Sequence, residues 1–190
     1  MACFVDLRRA GALLSFTAAT VVSLAAAPPI TAAAEVLEYA VKATFLYKFG
    51  AFVEWPGTTF TSPTSAAKLC IVGEDQVGNA LASAVVGQKI AERDIQLEQV
   101  TDPAAASGCQ ILYVADRDPQ RAAKALKAVQ GAGVLTVTDA ARSAESTGMI
   151  NFVVSENRVR FEIDVGAAAR SGLVISSKLL GLAKSVKGKG

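Results

Sequence analysis

The sequence predicts an α/β domain of three layers: a mostly parallel sheet with an antiparallel C-terminal hairpin, and helices on both faces. Three observations carry that prediction. Short apolar runs alternate with segments of helical periodicity from residue 35 onward, and such alternation implies a parallel sheet covered by helices. Ile111-Leu-Tyr-Val-Ala115 is continuously apolar, as a central strand buried on both faces is. Met149-Ile-Asn-Phe-Val-Val154 and Arg158-Val-Arg-Phe-Glu-Ile-Asp164 flank Ser155-Glu-Asn157, the pattern of a hairpin.

Taken in order, residues 35–54 place Leu37, Val41, Phe45, Phe49 and Phe52 on one helical face. Trp55 stops the helix, because a residue preceding proline is disfavoured in the helical region. Tyr39 and Tyr47 fall off that face and are expected at an interface. Gly57–Ala67, rich in Thr, Ser and Pro, is a loop. Leu69-Cys-Ile-Val-Gly73 is the first strand, Val77–Val86 a helix closed at Gly87, and Ile95–Val100 alternates like a second strand. Beyond the central strand, Asp118 caps and Pro119 opens a helix through Gln130. Gly131-Ala-Gly133 ends it, and Val134–Thr138 is the next strand. In the hairpin, Val159, Phe161 and Ile163 alternate with Arg158, Arg160, Glu162 and Asp164, so one face is wet. Asp164 caps a short helix ending at Gly172, and Ser176 or Ser177 caps a last one through Val186. Lys184–Lys189 reads as a solvated basic tail. Right-handed crossovers give the strand order 2-1-3-4 followed by the hairpin.

The first 34 residues read differently. Arg8 and Arg9 precede the apolar stretch Ala10–Ala27, and Ala32-Ala33-Ala34 offers a small-residue exit before Glu35. Positive, apolar and small in that order make a secretory signal peptide; the alternative is a retained membrane anchor. Residues 1–34 are therefore expected to be removed, leaving residues 35–190 as a single exported domain. Cys3 leaves with that segment, so Cys70 and Cys109 remain as an even pair in an oxidising compartment, where two cysteines usually join. Closing a loop of about 40 residues stabilises by roughly 4 kcal/mol on the chain-entropy estimate. Two separately buried thiols are the alternative.

The chain of 190 residues holds no histidine, with 19 basic and 17 acidic side chains and a formal charge of +2. Absence of histidine removes Ser-His-Asp and Cys-His catalysis, histidine metal sites and a histidine pH switch. Near-neutrality gives no reason to expect nucleic acid. Gly73-Glu-Asp-Gln-Val-Gly78 imitates the glycine spacing of a phosphate loop, but Asn79-Ala80 stand where Lys-Ser/Thr would hold phosphate. Glu74, Asp75, Asp116 and Asp118 end two strands at the carboxyl edge, where ligands of parallel sheets sit. They are helix caps in the plain reading, and a small-ligand or divalent-cation site in the alternative. Two acids suffice for a glycosidase, yet few aromatics are present to build a sugar groove. No catalytic residue, metal site or cofactor is therefore expected. Arg158, Arg160 and Glu162 are either edge charges that prevent aggregation or an edge that pairs with a partner or a second copy of the chain.

Seven stretches carry a resemblance: Glu38–Phe49, Phe52–Pro56, Leu69–Asp75, Gly108–Val114, Gly148–Phe152, Val159–Ile163 and Ile175–Leu179. In this order and spacing, over about residues 36–184, the chain resembles the YfiR family of exported bacterial proteins. The resemblance implies a periplasmic, non-enzymatic regulator. It would bind the periplasmic sensor domain of an inner-membrane diguanylate cyclase and hold it inactive, limiting cyclic-di-GMP and biofilm formation. An outer-membrane lipoprotein would sequester the regulator and release the cyclase. Cys70 and Cys109 fall where the family has a cysteine pair. A second pair found in some members is missing, since residues 140–153 contain no cysteine. Tyr39, Tyr47, Arg158, Arg160 and Glu162 are the residues expected to touch the partner. A small-ligand or cation receptor using the acidic carboxyl edge is the alternative function.

Overall fold

In the computed structural model, residues 30–139 and 145–188 are described. The expected signal segment lies outside them up to residue 29. The first helix, α1 (Ile30–Phe49), is followed by a 3-10 turn at Gly50–Phe52 and a short strand β1 (Val53–Glu54). Then come β2 (Ala67–Val72), α2 (Gln76–Ala84), β3 (Lys89–Ile90), β4 (Arg93–Gln99), a 3-10 turn at Pro103–Gly108, β5 (Ile111–Val114), α3 (Pro119–Ala128) and β6 (Leu135–Asp139). β7 (Ile150–Ser155), β8 (Arg158–Asp164), α4 (Val165–Arg170), β9 (Val174–Ile175), α5 (Ser177–Leu182) and β10 (Ser185–Lys187) complete the chain. None of the described helices is long and apolar enough to cross a membrane.

The main sheet has the order β10-β8-β7-β6-β5-β2-β4-β3. Its central strands β4, β2, β5, β6 and β7 run parallel, β8 is antiparallel to β7, and β3 is antiparallel to β4. The strands read from sequence therefore lie in the expected order, with the hairpin beside the fourth. Glu156 and Asn157, at φ 53 and 56, make its two-residue turn, the left-handed geometry that matches strand twist. A second such turn, Ala91-Glu92 at φ 47 and 64, joins β3 to β4; its residues carry no glycine signal.

Two apolar layers enclose the sheet. Phe49, Leu46, Leu69, Ile111, Tyr113, Leu135, Ile150, Phe152, Phe161 and Ile163 fill the larger core under α1 and α2. Phe45 and Phe49 stack on one another and meet Phe152 and Phe161 at centroid distances of 5.1–6.3 Å, within the range of favourable aromatic pairs. On the other face, α3 and the Pro103–Gly108 turn cover a smaller core of Cys70, Val72, Leu112, Val114, Ala122, Ala125 and Val129.

The fold corrects four expectations. Leu37 is 65% exposed and Tyr47 is buried, because the buried face of α1 runs through Ala43, Leu46, Tyr47 and Phe49, with Phe45 and Phe52 packed against it as expected. α1 ends at Phe49, not at Glu54: the chain tightens into the 3-10 turn Gly50–Phe52, where a side chain at Gly50 would strike Ile90, and then extends to pair Val53 with Ile175 in a separate two-stranded ladder. The last helix stops at Leu182. The basic tail is not wholly solvated, since Ser185–Lys187 forms β10, parallel to Glu162–Asp164. Lys184 N donates to the Phe161 carbonyl at 2.8 Å, so the tail covers half of the hairpin's outer edge.

Candidate functional site

The chain leaves β2 toward β4 on one side and resumes at β5 on the other, so the carboxyl ends of β2 and β5 form the topological switch point of the sheet. The loops after these strands touch: a Cβ on Gly73, at φ +85, would lie 2.8 Å from the Asp116 backbone nitrogen. Beside them opens a cleft of about 450 Å³, walled by α1, the starts of α2 and α3, and the end of β6. Its size is that of a small-molecule site, about 300–1,000 Å³.

The expected acids come to this edge, where Asp75 and Asp118 cap the following helices. Asp75 Oδ1 accepts from Gly78 N at 2.8 Å, starting α2. Its Oδ2 accepts from the Tyr113 hydroxyl at 2.6 Å. Burial, reinforced by the Asp75 charge, pushes the Tyr113 phenol far above its ordinary range, so it remains a donor. Asp118 Oδ1 accepts from Gln120 N at 2.9 Å and starts α3. Asp116 Oδ1 accepts from Asp118 N, while its Oδ2 lies 3.0 Å from Arg121 Nε. Glu74 is exposed. Among the described residues, no group of three His, Cys, Asp or Glu is placed to hold a metal ion.

A buried charge in the cleft wall was not singled out from sequence. Lys42 is 4% exposed, and its ammonium donates to Asp139 Oδ1 and Oδ2 at 2.8 and 2.7 Å. The same ammonium lies 2.6 Å from Glu38 Oε1, one turn back on α1. Burial by itself lowers the lysine pKa, but the two carboxylates outweigh it and the net shift is upward. Asp139 is held above the ordinary carboxylate value: burial and the charges of Asp75 and Glu38 outweigh Lys42. The Glu38-x-x-x-Lys42 spacing is the available sequence signal. Nothing in the spacing announces Asp139, which lies 97 residues away.

The remaining candidates are dispersed. Tyr39 lines the cleft, whereas Tyr47 is packed in the core and offers no surface. Arg158 and Arg160 are exposed on β8, and Glu162, half-buried, sits opposite Ser185 of β10. Cys70 and Cys109 form the expected disulfide, with Cα atoms 6.0 Å apart. Gln110 makes that approach possible: its N donates to the Lys68 carbonyl and its side-chain Oε1 accepts from Lys68 N, extending the β2–β5 ladder back to the bridge. The carboxyl-edge cleft reaches the hairpin at Val154, but Arg158, Arg160 and Glu162 do not line it, so the cleft and the β8 charges are distinct features. A protein-family model described as YfiR/HmsC-like matches residues 39–184, a span that takes in both.

Proposed function

The chain belongs to the YfiR/HmsC-like family, and from that premise we propose that it is an exported, non-enzymatic regulator acting in the periplasm. It binds the sensor domain of an inner-membrane signalling protein, a diguanylate cyclase, and represses it. The observation that carries the reading is the family match itself, which runs from within α1 to just beyond α5. The use of Asp75 and Asp118 as helix caps, with Asp116 bonded to Asp118 N, adds to it. Repression requires the regulator to bind the inactive sensor conformation better than the active one; each tenfold difference is worth about 1.4 kcal/mol of population shift.

The partner surface includes Tyr39 at the cleft rim and Arg158, Arg160 and Glu162 on β8. β10 pairs only with Glu162–Asp164, which leaves the outer edge at 158–160 open for a strand or loop of the partner. An outer-membrane lipoprotein that competes for this surface would relieve repression. Export precedes all of this. Cleavage after Ala34 would trim the first turn of α1 and leave the helix to start near Glu35.

Deleting the gene and restoring it tests the reading. Deletion is expected to raise cyclic-di-GMP and biofilm, and mild crosslinking of membranes is expected to recover the cyclase with the restored protein. Arg158→Glu with Arg160→Glu should restore less repression at equal protein level. Unchanged cyclic-di-GMP on deletion rejects the function. A second reading is favoured by the cleft: a small ligand bound at the switch point would modulate partner affinity. Ligand-dependent stabilisation abolished by Asp116→Asn would support it.

A further inference from the structure

The smaller core draws on β2, β5, α3 and Val134, with no residue of β7 or β8. Where it stops, a groove of about 560 Å³ opens between α3, the start of β7 and α4. Its carbon floor comes from Ala123, Leu126, Val129 and Met149, of which Val129 and Met149 are 1% and 6% exposed. Lys124 and Lys127 of α3 and Arg170 of α4 line it. No ion pair found among the described residues includes any of the three. One acid, Glu145, stands on the same rim.

Two hydroxyls complete the groove. Thr136 and Ser171 are each 5% exposed and line it. Thr136 Oγ1 accepts from Met149 N at 3.0 Å, and Ser171 Oγ accepts from Gly131 N at 3.3 Å. In both bonds the hydroxyl is the acceptor, so each oxygen keeps its own hydrogen to give. Cations in the last turns of α3 and α4 complement the helix carbonyls, which accounts for Lys127 and Arg170 as residue types. It does not account for Lys124, nor for two buried donors in the lining of an apolar groove. Three like charges around one recess are stabilised by an anion between them.

We propose that this groove is a binding site for a small organic anion with an apolar body, a carboxylate or a phosphate monoester. The anionic head is held by Lys127, Arg170 and the Thr136 and Ser171 hydroxyls. The body lies on Leu126, Val129 and Met149. The site is distinct from the carboxyl-edge cleft and does not depend on the regulatory reading.

The test uses the exported chain, titrated by calorimetry and followed by thermal unfolding. Decanoate and phenyl phosphate are the two probes, with decylamine, decanol and acetate as controls, all below micelle-forming concentration. Decanoate or phenyl phosphate should bind and raise the melting temperature, and which of them does so assigns the head group. Lys127→Glu with Arg170→Glu should weaken binding roughly tenfold or more, as expected when charge-assisted hydrogen bonds are lost. Ala123→Leu, which fills the groove without changing charge, should weaken it too. Binding of decylamine or decanol as tight as decanoate overturns the proposal, as does binding of acetate alone, or no binding by either probe. Retention on anionic phospholipid vesicles through the same basic residues, with no binding of either probe, would make this a membrane-facing patch and also overturn it.

Discussion

The Lys42 ammonium joins the two oxygens of the Asp139 carboxylate at 2.8 and 2.7 Å, tying α1 to the end of β6 across 97 residues of sequence. This pair closes one wall of the cleft and holds in place the helix that covers the larger core. Its electrostatics lead to the first prediction.

Asp139 titrates above its ordinary value when folded, so the native state takes up that proton more readily than the unfolded chain. Stability then falls as pH rises through the folded value. Lys42 limits the loss, and its own raised pKa keeps its contribution intact through neutral pH, to be lost only in strong alkali. Lys42→Met leaves Asp139, Glu38 and Asp75 without their shared cation. It should cost about 3–5 kcal/mol at neutral pH, and less near pH 4, because the upward shift of Asp139 brings it closer to its protonated form there. Urea midpoints of both proteins at the two pH values measure this; an equal loss at both would contradict it.

The Cys70–Cys109 bridge closes a separation of 39 residues. Cys70→Ser and Cys109→Ser should each lower stability by about 2–4 kcal/mol, and the double variant by no more, since either serine removes the same bond. Thiol titration of exported protein, unfolded without reductant, should find neither cysteine free. Two reactive thiols per chain would reject the bridge.

Gly73→Ala introduces two costs, a left-handed φ of +85 and a Cβ 2.8 Å from the Asp116 backbone nitrogen. Gly87→Ala shares only the first, because φ is +68 there with nothing within 4 Å. The second substitution should cost about 1–2 kcal/mol and the first distinctly more. Similar unfolding midpoints for the two would show that the loops after β2 and β5 do not meet as closely as described.

Truncation after Lys184 removes β10 and bares the lower half of the β8 edge. An uncovered strand edge pairs with other chains, so the shortened protein should self-associate as its concentration rises. Light scattering behind size exclusion checks this. A variant that stays monomeric across the range would make β10 dispensable as an edge guard.

The alternation of strands and helices, the hairpin and the helix caps at Asp118 and Asp164 are legible in the sequence alone. It narrows two further caps to Glu74 or Asp75 and to Ser176 or Ser177; the structure selects Asp75 and Ser176 and sets the strand order. The legible features are local: a two-residue or 3.6-residue period, or a side chain reaching a backbone N–H two or three positions away. The cysteine pair was legible as well, because only one partner is available to each thiol once Cys3 is set aside. Tertiary structure decided the rest. Whether Tyr47 or Leu37 faces the core depends on how α1 is rotated against the sheet, which a helical wheel leaves free by a few tens of degrees. Lys42 found Asp139 because α1 crosses the end of β6, and β10 formed because α5 returns the chain to an edge that would otherwise be bare. The groove of Lys124, Lys127 and Arg170 exists because the α3 layer stops short of β7. These are contacts between elements distant in sequence, fixed by packing that no single segment encodes.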